Sequence, residues 1–263
     1  MKENKLRAML NNGLPTLGTR VWSTWPFITE AVGSSGIYDY IEFVAEYSPY
    51  AQPDLENIVR AAELHGMGTM IKVDFQNRGY VAQKALASGF QSILFIDHKT
   101  PEEVRETIHM ISADVKSNGR FGYPCRRWIG YQPFCTPTQH IDRLNDIVIA
   151  FMIEKQEAID NIEEICSIPG VDMVQFGPFD FSMNNGKNPN EYEQEVNAAE
   201  KKMIEAALKY GVHPRCEIYG PASSAQRYID MGVKHFCFGD EIINGIVPWV
   251  NSGKEMRKMT DNI

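Results

Sequence analysis

Two carboxylate side chains stand where two consecutive apolar runs of the sequence end. Glu154 directly follows IVIAFMI (147–153), and Asp180 lies in VDMVQFGPFDFS (171–182). Because the carboxyl ends of neighbouring parallel strands meet at one edge of a sheet, we expect the two side chains to converge. Two close carboxylates repel, so the pKa of one of them rises unless a cation lies between them. With two protein ligands, the expected ion is Mg²⁺ or Mn²⁺.

The same two residues also have a purely structural interpretation. Glu154 would cap a helix, and Asp180 would form a local turn in an aromatic setting between Phe179 and Phe181. Spacing alone does not decide between this interpretation and a metal site.

Polar side chains accompany five other apolar runs as well, mostly at their carboxyl ends. They are Glu46 and Tyr47 after YIEFV (40–44), Lys72 and Asp74 with TMIKV (69–73), Asp97, His98 and Lys99 with SILFI (92–96), Arg215 and Glu217 in HPRCEI (213–218), and Asp240 and Glu241 after HFCFG (235–239). If these runs are strands of one sheet, their polar ends form one surface.

The elements that must position these residues follow a regular alternation. With TLGTRV (16–21), eight apolar runs alternate with segments of helical periodicity. Helix signals include Pro53 to Gly66, the capping box at Thr100 and Glu103 with a stripe reaching Val115, the stripe Ala158, Ile159, Ile162 and Ile165, and the stripe from Val196 to Ala206 before Gly211.

This alternation predicts a (β/α)₈ TIM barrel, an α/β fold, as a single domain over residues 1–263. A doubly wound sheet is the alternative, but no glycine-rich phosphate-binding sequence follows the first strand. In a TIM barrel the active site lies at the carboxyl ends of the strands. The long irregular stretch 117–146 is expected to be a functional loop.

Composition narrows the class of protein. The 263 residues carry a net charge of −8, which argues against nucleic acid or an anionic membrane as a partner. The five cysteines show no CxxC pair, which favours a reducing compartment over a disulfide framework or zinc site. No signal peptide or membrane span is indicated, so we expect a cytoplasmic protein.

The run IEKQEAIDNIEEICSIPGVDMVQFGPFDFS (153–182) resembles the metal-binding core of the HpcH/HpaI aldolase family. The similarity extends from about residue 6 to about residue 250. The resemblance implies class II, metal-dependent pyruvate aldolase chemistry, with Glu154 and Asp180 as the metal ligands. It also implies that Gly177 and Pro178 shape a turn whose amides, near Phe179, receive the carboxylate of a 2-oxo acid.

Other positions depart from the family pattern. Where the family has Asp-x-Glu-His, this sequence reads VAEY (44–47), so Glu46 is kept and Tyr47 replaces the histidine. The expected aspartate before strand four is Ala87, and the expected arginine of strand three is Lys72. Lys72 could supply positive charge at the enolate oxygen, or pair with Asp74 or Glu46.

Several further residues are candidates with open alternatives. His98 could be a replacement base or a surface histidine. Tyr47 could donate a proton or pack against substrate. Trp22 and Trp25 could wall the pocket or belong to the core. Two pairs also stay open: Arg215 and Glu217 could pair with each other or read a polar group of an unusual aldehyde, and Arg126 and Arg127 could bind a distal carboxylate or be solvated.

The predicted function is a metal-dependent carbon–carbon lyase that acts on a 4-hydroxy-2-oxo acid. It would give pyruvate or a related 2-oxo acid plus an aldehyde through a metal-stabilised enolate. The alternatives are a non-catalytic 2-oxo acid binding protein that keeps the metal, and a relative performing decarboxylation or another carbon–carbon cleavage. The resemblance also implies a homo-oligomer, commonly a hexamer, that exchanges the C-terminal segment from about residue 242.

Overall fold

The predicted barrel is confirmed. A computed structural model describes residues 3–116, 118–124, 126–131, 135–261 and 263. Within them, eight parallel strands pair in chain order and β8 closes against β1. The strands are β1 (Thr16–Val21), β2 (Tyr40–Val44), β3 (Gly68–Val73), β4 (Ser92–Phe95), β5 (Val148–Ile153), β6 (Met173–Phe176), β7 (His213–Ile218) and β8 (His235–Asp240).

Helices connect the strands and cover the outside of the barrel. They are α1 (Lys5–Asn11), α2 (Pro26–Ser34), α3 (Gln52–Leu64), α4 (Arg78–Ser88), α5 (Pro101–Ile111), α6 (Pro137–Asn145), α7 (Gln156–Asp160), α8 (Ile162–Ser167), α9 (Pro178–Asn184), α10 (Glu193–Tyr210), α11 (Gln226–Asp230) and α12 (Val247–Thr260). Each strand therefore opens at its carboxyl end into a loop that can carry a functional side chain.

The helix boundaries follow local sequence signals. The predicted capping box begins α5, where Thr100 Oγ1 accepts from the Glu103 N–H. Gly211, with φ 75°, ends α10 in the left-handed conformation that glycine adopts without steric cost. Two details differ from the prediction: α5 ends at Ile111, so Val115 is exposed outside it, and the stripe from Ala158 to Ile165 is divided into two short helices.

The inside of the barrel has two chemically different halves. Side chains of β3 to β6 fill one half with apolar groups, among them Met70, Leu94, Ala150, Met152 and Met173. The half formed by β1, β2 and β7 carries charged and phenolic groups instead, which are described with the candidate site. A larger apolar core lies between the strands and the surrounding helices.

The long stretch after α5 is less irregular than predicted. It contains a short 3₁₀ segment, Arg127–Ile129, and the helix α6. Trp128 is buried there and donates from Nε1 to His140 Nδ1 at 3.1 Å. Residues 117, 125 and 132–134 of this stretch lie outside the described part of the chain.

The C-terminal segment contacts the barrel at its start, where the Asn244 side chain lies against Gly239 of β8. A π-helical turn (Ile242–Ile246) leads into α12, and none of the residues described in either element is buried. Large apolar side chains are exposed along it, including Trp249 at 78% and Met259 at 67%. Among the helices that the structure describes, none is both long and apolar enough to cross a lipid bilayer.

Candidate active site

Glu154 lies buried at the carboxyl end of β5, with 2% of its surface exposed. Its Oε1 accepts a hydrogen bond from the backbone N–H of Asp97 at 2.8 Å. Asp97 has φ 61°, which is uncommon for a residue other than glycine, and its side chain pairs with Lys155 at 2.6 Å. The end of β4 therefore fixes one oxygen of Glu154.

Asp180 lies in the first turn of α9, not in an isolated turn, because the helix begins at Pro178. Gly177 precedes this helix, and a β-carbon on Gly177 would lie 2.8 Å from Oε2 of Glu154. Only glycine leaves that space to the carboxylate. The Glu154 carboxylate therefore lies against the start of the helix that carries Asp180.

The electrostatics of Glu154 are those of a buried anion near a second anion. Burial is the largest cause that raises the pKa of Glu154, Lys72 and the Asp97 N–H oppose it, and the charge of Asp180 adds to it, so that the pKa lies at about 7. A divalent cation fits this donor set, because it would compensate both carboxylates. In the described part of the chain no three His, Cys, Asp or Glu side chains are grouped to hold a metal ion. Glu154 and Asp180 are two carboxylates that could serve as ligands.

Lys72, Glu46 and Tyr47 form a second group near this pair. Lys72 Nζ lies 2.6 Å from Glu46 Oε2, and both side chains are buried. The alternative that Lys72 pairs with Glu46 is therefore what the structure shows. The ammonium also lies 6.0 Å from the centre of the Tyr47 ring. A hydrogen bond to Glu46, together with burial and the charges of Glu46, Asp180 and Glu154, raises the pKa of Tyr47.

His98 is not brought into this group. It is 1% exposed, its Nδ1 lies 2.7 Å from the Ile96 carbonyl oxygen, and its Nε2 lies 2.6 Å from Thr107 Oγ1. Thr107 belongs to α5, and it also accepts from Arg78. Three aromatic rings surround the imidazole: Phe75, Phe95 and Phe151. His98 is therefore neither a surface histidine nor a base beside the Glu154 and Asp180 carboxylates. It connects the barrel wall to α5.

The remaining predicted residues lie around the mouth or on the outer surface. The backbone N–H of Trp22 donates to Glu241 at 2.6 Å and its Nε1 donates to Asp240 at 3.2 Å, so it joins the ends of β1 and β8. Trp25 is 64% exposed. Phe179 is 66% exposed and Pro178 half-buried. Arg126 and Arg127 pair with Glu56 and Glu63 of α3.

The charged half of the barrel interior was only partly foreseen. Arg215 does not pair with Glu217. It is fully buried, pairs with Glu42 Oε2 at 2.6 Å, and donates to Tyr40 Oη at 2.7 Å and to Gln175. Glu217 instead binds Arg20, which also pairs with Glu42 at 3.1 Å.

Arg20 and Glu42 lie inside β1 and β2 and were not predicted as site residues. The signal that could have revealed them is the alternation of inward-facing and outward-facing positions along each strand. Burial favours a raised pKa for Glu42, but Arg215, Arg20 and Lys72 outweigh it and hold the pKa at about 2. Glu42 is therefore a buried carboxylate anion shared by two guanidinium groups.

Comparisons with known proteins agree with this architecture. A model of the HpcH/HpaI aldolase/citrate lyase family matches residues 24–241. The hydroxypyruvate/pyruvate aldolase of Delftia acidovorans is 24% identical over 243 residues, covering 91% of this chain and 87% of the relative. The 4-hydroxy-2-oxo-heptane-1,7-dioate aldolase of Escherichia coli is 23% identical over 241 residues, covering 90% and 88%.

A solved structure shows the same fold. The crystal structure of an HpcH/HpaI aldolase from Desulfitobacterium hafniense matches with a TM-score of 0.85 at 21% identity, and the match covers 97% of each chain. At this identity the likeness concerns the arrangement of the barrel.

The surroundings of His98 predict a pH-dependent stability. Burial lowers the pKa of His98 to about 4, whereas the unfolded chain has the ordinary value near 6.5. Below about pH 6.5 the His98 side chain is protonated in the unfolded state but stays neutral in the folded state. The free energy of unfolding therefore keeps its full value above that pH and decreases as the pH falls toward 4. The loss from this residue should reach about 2–3 kcal/mol.

Urea unfolding between pH 7.5 and pH 4.5 measures this loss. His98→Gln should lower the stability at neutral pH but flatten its decline on acidification. His65→Gln, at an exposed histidine, is the matched control and should keep the wild-type slope. A wild-type slope in His98→Gln would contradict the assignment.

Proposed function

The chain belongs to the HpcH/HpaI aldolase/citrate lyase family, and on that premise we propose that it is a metal-dependent carbon–carbon lyase. Its substrate would be a 4-hydroxy-2-oxo acid, and its products pyruvate or a related 2-oxo acid and an aldehyde. The family and the relatives are described as aldolases or lyases, and a citrate lyase beta subunit from M. tuberculosis, similar in fold with a TM-score of 0.59 at 11% identity, is described in complex with oxaloacetate and magnesium. The substrate of this chain is part of the proposal.

One observation carries the proposal: the buried carboxylate of Glu154 lies over Gly177, at the start of the helix that holds Asp180. We assign Glu154 and Asp180 as ligands of Mg²⁺ or Mn²⁺. When bound, such an ion supplies Lewis-acid stabilisation of the negative charge that carbon–carbon cleavage leaves on the keto oxygen. The backbone N–H groups of Phe179 and Asp180, in the first turn of α9, would receive the carboxylate of the 2-oxo acid, and Gly177 and Pro178 would shape the turn before them.

Lys72 and Tyr47 are the residues we place beside the reacting carbonyl. Lys72 is close enough to Glu154 to lower its pKa, so its charge also acts on an oxyanion formed there. Tyr47 is 66% exposed, and the hydrogen bond to Glu46 and the charges of Asp180 and Glu154 raise its pKa. Because its pKa is raised, the Tyr47 phenol stays protonated, and we propose it as a relay: it accepts the proton of the substrate hydroxyl while its own proton passes to the Glu46 carboxylate. His98 has no part in the proposed site.

A second candidate function is a protein that binds a 2-oxo acid at the same site but does not cleave it. Lys72 is already neutralised by Glu46 at 2.6 Å, and the sequence lacks the histidine, aspartate and arginine expected from the family resemblance. A protein that binds a 2-oxo acid through the metal, without cleaving it, would need no more than Glu154 and Asp180. A relative that decarboxylates such an acid would use the same two ligands.

The setting of the protein is also proposed. Four cysteines among the described residues (Cys135, Cys166, Cys216 and Cys237) are buried and free, which supports a reducing, cytoplasmic environment. The net charge of −8 supports small molecules rather than nucleic acid as partners. The exposed apolar side chains of α12 support a homo-oligomer in which the segment from about residue 242 packs on a second copy.

The first prediction from this proposal concerns the metal. Glu154→Gln and Asp180→Asn should each lower the affinity for Mn²⁺ by at least about 100-fold, because each removes one of two anionic ligands. Gly177→Ala should weaken binding too, because its methyl group takes the space of Glu154 Oε2. Calorimetric titration measures the affinity, with Gly253→Ala in α12 as the matched control. An unchanged affinity for Mn²⁺ in both carboxylate variants would contradict the assignment of Glu154 and Asp180 as metal ligands.

The second prediction tests the role of Lys72 in the cleavage step. Lys72→Met should lower turnover of a 4-hydroxy-2-oxo acid by ~10²-fold and leave the affinity for pyruvate within about threefold, because the charge acts on the oxyanion that develops during cleavage. Lys72→Arg, which keeps the charge, should retain more activity. Steady-state pyruvate release gives the rates. Equal turnover in Lys72→Met and wild type would exclude Lys72 from the chemistry.

The third prediction concerns assembly. Removing residues 248–263 should lower the mass of the particle in solution while leaving the barrel folded, because the described part of that segment buries no side chain within one chain. Multi-angle light scattering gives the mass and circular dichroism the fold. A full-length protein that is monomeric at micromolar concentration would contradict the proposed oligomer.

A further inference from the structure

We propose that Arg20, Glu217 and Tyr219 form a polar subsite at the mouth of the barrel for an uncharged, hydroxylated aldehyde. This inference rests on the proposed lyase function and names the substrate class of its second product. The three residues are hereafter the polar subsite. They come from β1 and from the carboxyl end of β7, and β7 lies across the barrel from β3, which carries Lys72.

The register of the strands places the polar subsite beside the candidate metal ligands. Gln175 of β6 pairs with Arg215 of β7, so two residues further on Gly177 stands level with Glu217. Gly177 is the residue over which the Glu154 carboxylate lies. Gln175 Nε2 also donates to Glu217 Oε1. Glu217, at the carboxyl end of β7, therefore lies one strand away from Gly177 and from the start of the helix that holds Asp180.

The charges of the subsite and of the layer beneath it balance. Arg20 binds Glu42, Glu217 and Tyr219 Oη. Below it, fully buried Arg215 takes the other oxygen of Glu42. Two guanidinium groups thus face two carboxylates within this described cluster. A ligand carboxylate would meet Glu217 without an unpaired cation to offset it, so the subsite suits a neutral ligand.

The polar subsite can form further hydrogen bonds to a ligand. A guanidinium has five N–H donors, and the described contacts of Arg20 go to three partners. The described contacts of Glu217 all use Oε1, which leaves Oε2 as an acceptor. Tyr219 is 41% exposed, so its phenol lies at the solvent side of the group. Arg20 is buried at 6% exposure, but the Tyr219 hydroxyl, which accepts from Arg20, can still donate its own proton. A ligand hydroxyl can therefore donate to Glu217 and accept from Tyr219.

Such a subsite discriminates against apolar aldehydes. An alkyl group placed there would exclude water from polar atoms without replacing its hydrogen bonds, which penalises the analogue that lacks the hydroxyl. Arg215 beneath is held by Tyr40 and Gln175 and in turn holds Glu42, so the group cannot easily turn away. The expected preference is for a hydroxyaldehyde over an alkyl aldehyde of the same size.

The test uses the addition direction with two aldehydes of equal heavy-atom number, glycolaldehyde and propanal. In this direction the pyruvate methyl carbon loses a proton and bonds to the aldehyde carbon, whose oxygen gains a proton. The quantity measured is the ratio of kcat/KM for glycolaldehyde to that for propanal. Tyr219→Phe and Glu217→Gln should each lower this ratio about fivefold to tenfold relative to wild type, because each weakens a hydrogen bond to the hydroxyl.

Tyr210→Phe is the matched control, since Tyr210 is equally exposed at 41% but binds Glu163 on the outer helices. It should keep the wild-type ratio. Succinic semialdehyde, compared with butanal, tests the charge and should be the poorer substrate. Ratios within twofold of wild type in both subsite variants, or a preference for the anionic aldehyde, would overturn the polar subsite. A wild-type protein that condenses pyruvate with none of these aldehydes would instead contradict the lyase function itself.

Discussion

The buried carboxylate of Glu154 is the constraint on which the rest of the site depends. An anion removed from water is costly unless a cation or several hydrogen bonds compensate it. The chain provides part of that compensation through the Asp97 N–H and the charge of Lys72, yet burial and Asp180 still raise its pKa to about 7. Near neutral pH the group is therefore poised between the neutral and the charged form, and a divalent cation would favour the charged form.

Several features that look unrelated follow from holding this carboxylate in place. Gly177 lacks a side chain because Glu154 occupies the space that a β-carbon would take. Asp97 adopts a left-handed backbone, and its N–H reaches Glu154 Oε1. Such local strain is maintained only where the surroundings over-determine it, as they do at functional sites. The charged half of the barrel poses the same cost. A buried ion pair such as that of Arg215 with Glu42 is weak evidence for stability, because desolvation offsets much of the attraction between the charges.

The sequence predicts the framework better than the contacts. All eight strands agree with the structure to within two residues, because short apolar runs between helix caps and glycines leave few alternatives. The positions of Glu154 and Asp180 were predictable as well, since a residue after a strand must lie at the carboxyl face. The position of His98 was not predictable, because a shift of one residue after a strand moves a side chain from the mouth of the barrel to its outer wall. Arg20 with Glu42 and Arg215 required the closed barrel, which brings β1, β2 and β7 together.

Deuterium exchange into the methyl group of pyruvate tests the central claim most directly. Wild-type protein in D₂O with Mg²⁺ should exchange these protons, observed by proton NMR, and exchange should stop with chelator and be largely lost in Glu154→Gln. This outcome requires both the metal and enolate formation at the site. Pyruvate that binds in a metal-dependent manner but does not exchange would contradict the lyase and identify a binding protein.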